Sequence, residues 1–274
     1  MKRRKIKQRL DARATAKVPL AIAARDKTIQ KSLLGRLVRP RSIGLNIALI
    51  LNQSTPPGTL HGLARRRGLV GSLAPLIVEH PNCSPETLAL LAKRRQSHIR
   101  KLIARDPRCP SDTVISLARD KDWDVVIAAV KNHNCPSDVL MELALSLTRG
   151  TLAMHDFPWR FDRGARENWD ARAAIATNPN IPPEALRLLA DYLDEIKPIV
   201  AINPNCPVDL LEQWEDHALW VVRWGVTCSP KADSEMLLRL TQDRTSKVAE
   251  AAVAAILERQ DIPDSIKAMM VLSQ

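Results

Sequence analysis

The chain has 274 residues, of which 45% are apolar and only 3% aromatic, and 41 Lys and Arg against 30 Asp and Glu leave a net charge of +11. Such a chain can bury a long core, but with so few rings that core must be built from Leu, Ala, Val and Ile. No apolar run approaches the roughly 18 residues of a membrane span, the 9 glycines form no phosphate-cradling cluster, and the 6 histidines lack zinc-ligand spacing, so membrane-spanning, P-loop and zinc-site classes are disfavoured.

Residues 1–41 hold 14 Lys and Arg against two acids, Asp11 and Asp26, a net of +12, while the remaining 233 residues sum to −1. The excess charge therefore belongs to an N-terminal arm. Its cations are led by Lys2, Arg3, Arg4, Lys5, Lys7 and Arg9 and resume at Arg36, Arg39 and Arg41; Arg65, Arg66 and Arg67 follow in the first repeat. One reading is a polyanion grip, most plausibly on nucleic-acid phosphates. The other is a solvated, basic helical cap whose Leu33, Leu34, Leu37 and Val38 dock on the first repeat. A membrane surface or an acidic protein is a third destination. The first 122 residues contain no Phe, Tyr or Trp, so nucleic-acid contact by the arm would be to backbone and insensitive to sequence. The short apolar run at residues 18–24 contains Pro19 and is expected to be part of a helix and not an export signal.

From residue 42 onward one phrase recurs. Asn203-Pro204-Asn205-Cys206-Pro207-Val208-Asp209 has close copies beginning at His80, Asp106, Asn132 and Asn178, and weaker ones near Thr55, Lys231 and Asp261. Marking the residue two before the cysteine column gives positions 53, 81, 107, 133, 179, 204, 230 and 260, a step near 26 with one excess between 133 and 179. Each copy reads as a helix start, because proline presets the backbone and an acid two residues later faces unpaired N–H groups. An apolar ladder follows, as in Leu88 and Leu91, Leu140, Leu143 and Ala144, or Leu186, Leu189 and Ala190. A second, shorter helical piece then leads into the next copy. Helices this short need neighbours, so an all-α solenoid of about eight repeats is expected over residues 42–274.

The corner followed by Leu-Leu, as at residues 203–211, resembles the repeat of the leucine-rich repeat variant family; Ile99-Arg100, Ala171-Arg172 and Val222-Arg223 resemble its Val-Arg position. The resemblance implies a right-handed superhelix of alternating α and short 3₁₀ helices. The family's founding member also binds an iron–sulfur cluster through an N-terminal cysteine cluster. Residues 1–82 contain no cysteine here, so that cofactor is not carried over.

Four of the five cysteines, Cys83, Cys109, Cys135 and Cys206, occupy one repeat column where other copies place Thr55, Ile181, Ala232 and Ile262. A column that accepts Ile and Ala is a buried packing position, and Cys228 is expected to pack too. No metal, no cofactor and no small-molecule substrate is inferred; free thiols in this number fit a reducing cytoplasm.

The excess between repeats lies at residues 147–166 and contains both Phe residues of the chain. Phe157, Trp159, Arg160 and Phe161 form the candidate partner-binding cluster, since aromatic and Arg side chains are enriched at interface hot spots. The alternative is a loop that folds back into a seam. Trp123, Trp169 and Trp220 sit at a repeat-locked position that suggests packing, and Trp214 and Trp224 replace aliphatics, which suggests core. Arg100, Arg172 and Arg223 are expected to form a structural ladder with acids such as Asp120, Asp191, Asp216 and Asp243. His155-Asp156 is the nearest approach to an acid/base pair, yet no nucleophile accompanies it. These features favour a non-catalytic scaffold for protein–protein interaction over nucleic-acid binding through the arm.

Overall fold

The computed structural model describes residues 43–66, 70–149, 165–260 and 262–272. Every regular element among them is helical. In chain order these are α1 (Ile43–Leu51), α2 (Pro57–Ala64), α3 (Val70–Val78), α4 (Pro85–Ala92), α5 (Ser97–Arg105), α6 (Ser111–Ala118), α7 (Trp123–Val130), α8 (Ser137–Arg149), α9 (Ala165–Ala176), α10 (Pro183–Tyr192), α11 (Lys197–Ile202), α12 (Val208–Trp214), α13 (Trp220–Thr227), α14 (Ser234–Leu240), α15 (Ser246–Glu258) and α16 (Asp264–Leu272). Odd-numbered helices enter a corner and even-numbered ones leave it. The shorter pieces are α-helical, and 3₁₀ geometry is confined among the described residues to Asp194–Ile196, so the expected alternation of α and 3₁₀ helices is not found. These pieces bury one side, as with Val125, Val126, Ala129 and Val130 of α7, all at most 2% exposed.

The chain forms two compact units, Met1–Thr113 and Val114–Gln274. Within the first, α1 packs on α3 and α3 on α5, while α2 packs on α4. Within the second, α7, α9, α11, α13 and α15 lie side by side in that order, and α8 packs on α10. Each unit is thus a stack of helical repeats. The apolar ladder faces inward: Leu88, Leu91, Leu140, Leu186 and Leu189 are completely buried. Burial of each such side chain is worth about 1.5–3 kcal/mol, which an isolated repeat could not collect.

The corners carry the second source of cohesion. The first corner residue bends the chain by accepting, on its side chain, the N–H two residues later: Asn82 N–H to His80 Nδ1 at 3.0 Å, Arg108 to Asp106 at 2.8 Å, Asn180 to Asn178 at 2.8 Å, Asn205 to Asn203 at 2.8 Å. Its other end donates to the repeat before. Asn203 Nδ2 reaches the carbonyls of Ala176 (2.6 Å) and Asn178 (3.0 Å), Asn178 Nδ2 those of Val130 (2.6 Å) and Asn132 (3.1 Å), and His80 Nε2 that of Asn52 (2.9 Å). The third corner residue does the same: Asn82 donates to Gln53 and Thr55, Asn180 to His133 and Cys135, Asn205 to Pro179 and Ile181. The last carbonyls of an α-helix have no partner within it. Here the next repeat supplies one.

Where the first residue cannot donate, the third is longer. Asp106 is an acceptor only, and Arg108 spans the gap, donating to the carbonyls of Val78 (2.7 Å) and His80 (2.9 Å) while pairing with Asp106 at 2.6 Å. Burial alone would raise the Asp106 carboxyl, but the hydrogen bonds and charge of Arg108 hold it below its usual range. Ser229 is too short to reach back, and Lys231 Nζ donates to Cys206 at 3.0 Å.

The opposite turns, from even to odd helices, use the arginine column. Arg100 Nη1 caps the carbonyls of Arg94 (2.9 Å) and Arg95 (2.7 Å), and Arg223 Nη1 caps that of His217 (2.6 Å). Arg223 also makes a bidentate pair with Asp243, with side chains only 3% and 5% exposed. Its hydrogen bonds keep the Asp243 carboxyl below the usual range. Arg172 instead places its guanidinium 4.2 Å from the Tyr192 ring centroid and donates to the Leu147 carbonyl. The expected ladder of arginines is therefore real for Asp243, but main-chain carbonyls are partners of equal standing.

Asn203→Asp tests the corner directly, because it keeps the acceptor for the Asn205 N–H and removes the donor to two buried carbonyls. Urea denaturation is expected to show a loss of about 1–3 kcal/mol. Asn205→Ala, whose Pro179 bond is exposed to water, should cost no more than about 1 kcal/mol.

Candidate interaction surface

The sites expected from sequence fall mostly beyond the described residues. Lys2, Arg3, Arg4, Lys5, Lys7, Arg9, Arg36, Arg39, Arg41 and Arg67 lie outside them, as do Phe157, Trp159, Arg160 and Phe161. Arg65 is exposed at the end of α2, with Arg66 half-buried beside it. Among the described residues no group of three His, Cys, Asp or Glu gathers as a metal site would require.

The cysteine column is buried as its repeat register demands. Cys109, Cys135 and Cys206 are completely buried and Cys83 nearly so, all as free thiols. Burial pushes the Cys83 thiol up to about 11 and those of Cys109, Cys135 and Cys206 up to about 12, far from a reactive thiolate. Cys228 departs from expectation, since it lies exposed at the end of α13.

The tryptophans depart further. Trp214 is core, 2% exposed, but Trp169, Trp220 and Trp224 are 38%, 40% and 38% exposed and are not packed away as their register suggested. Trp123, Trp169 and Trp220 each lie nine residues before the first residue of a corner, at Asn132, Asn178 and Ser229. That position is the first residue of α7 and α13 and the fifth of α9. The same register in other repeats holds Asp194 and Glu250, both exposed. A column shared by Trp, Asp and Glu is an outer column, and this was the signal available in the sequence.

Trp220 and Trp224 stand one turn apart on α13, so their rings share a face. Gly225 sets the distance to α11: a Cβ there would lie 2.7 Å from the Pro198 Cα, so only glycine permits the close approach of the two helices. On the other flank α15 contributes Lys247, Glu250 and Ala251. Together with Pro198 and Val221 these side chains enclose an open, largely apolar cleft of about 600 Å³. A second cleft of about 440 Å³ continues past Trp224 along Ala251, Ala254 and Ala255 to Cys228. In α15 the registers of Trp220 and Trp224 hold Glu250 and Ala254, smaller side chains that leave the space beside the rings open. Lys247 Nζ lies 5.3 Å from the Trp220 ring centroid, within cation–π range.

No family model and no curated protein matches the sequence. Among solved structures the chain is similar to one described as a leucine-rich repeat variant with a novel repetitive protein structural motif, with 19% sequence identity, a TM-score of 0.49, and coverage of 82% of this chain and 81% of that one. At that distance the likeness adds nothing to what the repeat itself establishes.

Thiol titration separates the two kinds of cysteine. With a disulfide reagent such as Ellman's, the native protein is expected to react fast at Cys228 alone, and all 5 cysteines only after unfolding in guanidinium. Fast reaction of the column thiols in the native state would contradict their burial.

Proposed function

We propose that the protein is a non-catalytic helical-repeat scaffold that holds a protein partner against the outer face of its odd-numbered helices. The observation that supports this most is the pair Trp220 and Trp224, large rings left 40% and 38% exposed at the wall of a 600 Å³ cleft. Tryptophan is enriched among interface hot spots, in pockets that a partner desolvates. The cluster Phe157, Trp159, Arg160 and Phe161 is proposed as a second contact for the same partner.

The test is capture from native cells by the tagged protein, followed by affinity measurement on what is recovered. Joint replacement of Trp220 and Trp224 by Ala is expected to weaken the recovered complex about 30-fold or more and leave the helical circular dichroism unchanged. Undiminished capture would remove the cleft from the function.

The +12 charge of residues 1–41 supports a second reading, an arm that grips phosphates. Binding to duplex DNA should then fall steeply, by about a thousandfold or more, between about 50 and 200 mM salt. It should vanish when Lys2, Arg3, Arg4, Lys5, Lys7 and Arg9 are changed to Glu. Salt-independent binding would count against this role of the arm.

A further inference from the structure

The chemistry around the tryptophans specifies what they would hold. Carboxylates accompany them: Asp170 follows Trp169, both exposed, and Glu250 shares the cleft with Trp220 and Trp224. In the repeat between, the register of the tryptophan is taken by Asp194, paired with Lys197 at 2.6 Å, with Glu195 beside it, both acids exposed. Residues 183–274 hold fifteen Asp and Glu against nine Lys and Arg. Of those nine, Arg187, Arg223 and Arg239 are engaged by Asp209, Asp243 and Glu215, and Lys231 and Arg259 are spent on corner carbonyls. A polyanion brought here would meet an excess of acids over bases.

An uncharged apolar segment fits poorly too. It would lie against the Glu250 carboxylate of the cleft without giving it a partner. A cation does both jobs, since its stem lies on the rings and its head meets the carboxylate. One cation is already there: Lys247 sits over Trp220 at 5.3 Å. It marks the ring face as a cation site and occupies it with a side chain that can swing away.

We propose that the Trp220–Trp224 cleft binds a basic segment of a protein partner, with Arg or Lys side chains stacked on the two indoles, paired with Glu250, and displacing Lys247. This rests on the scaffold reading and gives its partner a chemistry. Arginine is the better occupant, because its flat guanidinium stacks on an indole and still presents a hydrogen-bonding edge to a carboxylate.

The experiment measures fluorescence anisotropy of a fluorescein-labelled nona-arginine peptide with the full chain at about 150 mM salt, with nona-glutamate and a 20-nucleotide oligo(dT) as alternatives. Saturable binding of nona-arginine is expected, weakened about tenfold by joint Trp220→Ala and Trp224→Ala and several-fold by Glu250→Lys. Lys247→Ala should tighten it, since the competing cation is gone. That gain cannot come from a damaged fold, and circular dichroism checks the three other substitutions. Nona-arginine binding that ignores all of these changes, or weakening by Lys247→Ala, overturns the proposal. So does oligo(dT) binding that the tryptophan pair controls. A cellular partner that needs Trp220 and Trp224 but docks through a segment without Arg or Lys would leave the scaffold standing and refute the cationic occupant alone.

Discussion

A corner side chain that donates to the carbonyls of the preceding repeat, as at His80, Arg108, Asn178, Asn203 and Lys231, is the contact on which each stack rests. The helices run from six to thirteen residues, too short to persist alone, and each leaves carbonyls that must be met before they can be buried. Asn203 shows how one amide answers both needs, its oxygen taking the Asn205 N–H and its nitrogen two carbonyls of the repeat before. Imidazole does the same at His80 with its two nitrogens. At Asp106 and Ser229 the reach passes to Arg108 and Lys231, so the corner is conserved as a function of the pair of positions and not of either residue.

Where the corners, the arginine turns and the inner leucines are much alike from repeat to repeat, the outer face of the odd helices is not. It shows in what fills that face: Trp220 and Trp224 on α13, Pro198 on α11, alanines on α15. Only the inward side is uniform. Ion pairs on the even helices, such as Arg187 with Asp209 at 2.6 Å, join neighbouring repeats but stand exposed, where each is worth about 0–1 kcal/mol. They tune the stack; they do not hold it.

Much of this was legible in the sequence. The repeat length, the helix starts, the buried leucines and the cysteine column all follow from period and from what each column tolerates. The corner donors were visible as a recurring Asn, yet their role was not, because a hydrogen bond spanning 25 to 27 residues cannot be read from local pattern. The exposed tryptophans were missed for a different reason. A large ring at a repeated position invites the assumption of burial, and only the Asp and Glu that share its column contradict it. Trp224 gives no such clue beyond Lys101, which occupies its register in another repeat.

The corner bonds have a direction. In these corners the donor side chain belongs to the later repeat and the carbonyl it covers to the earlier one, 24 to 30 residues back in most and 45 to 48 across the long step before Asn178. A polypeptide leaving the ribosome amino end first therefore lays down the acceptors before the groups that will close them, and each newly emerged repeat finds a finished template waiting. Growth of the fold can keep pace with translation, one latch at a time, with no need for distant segments to find each other afterwards.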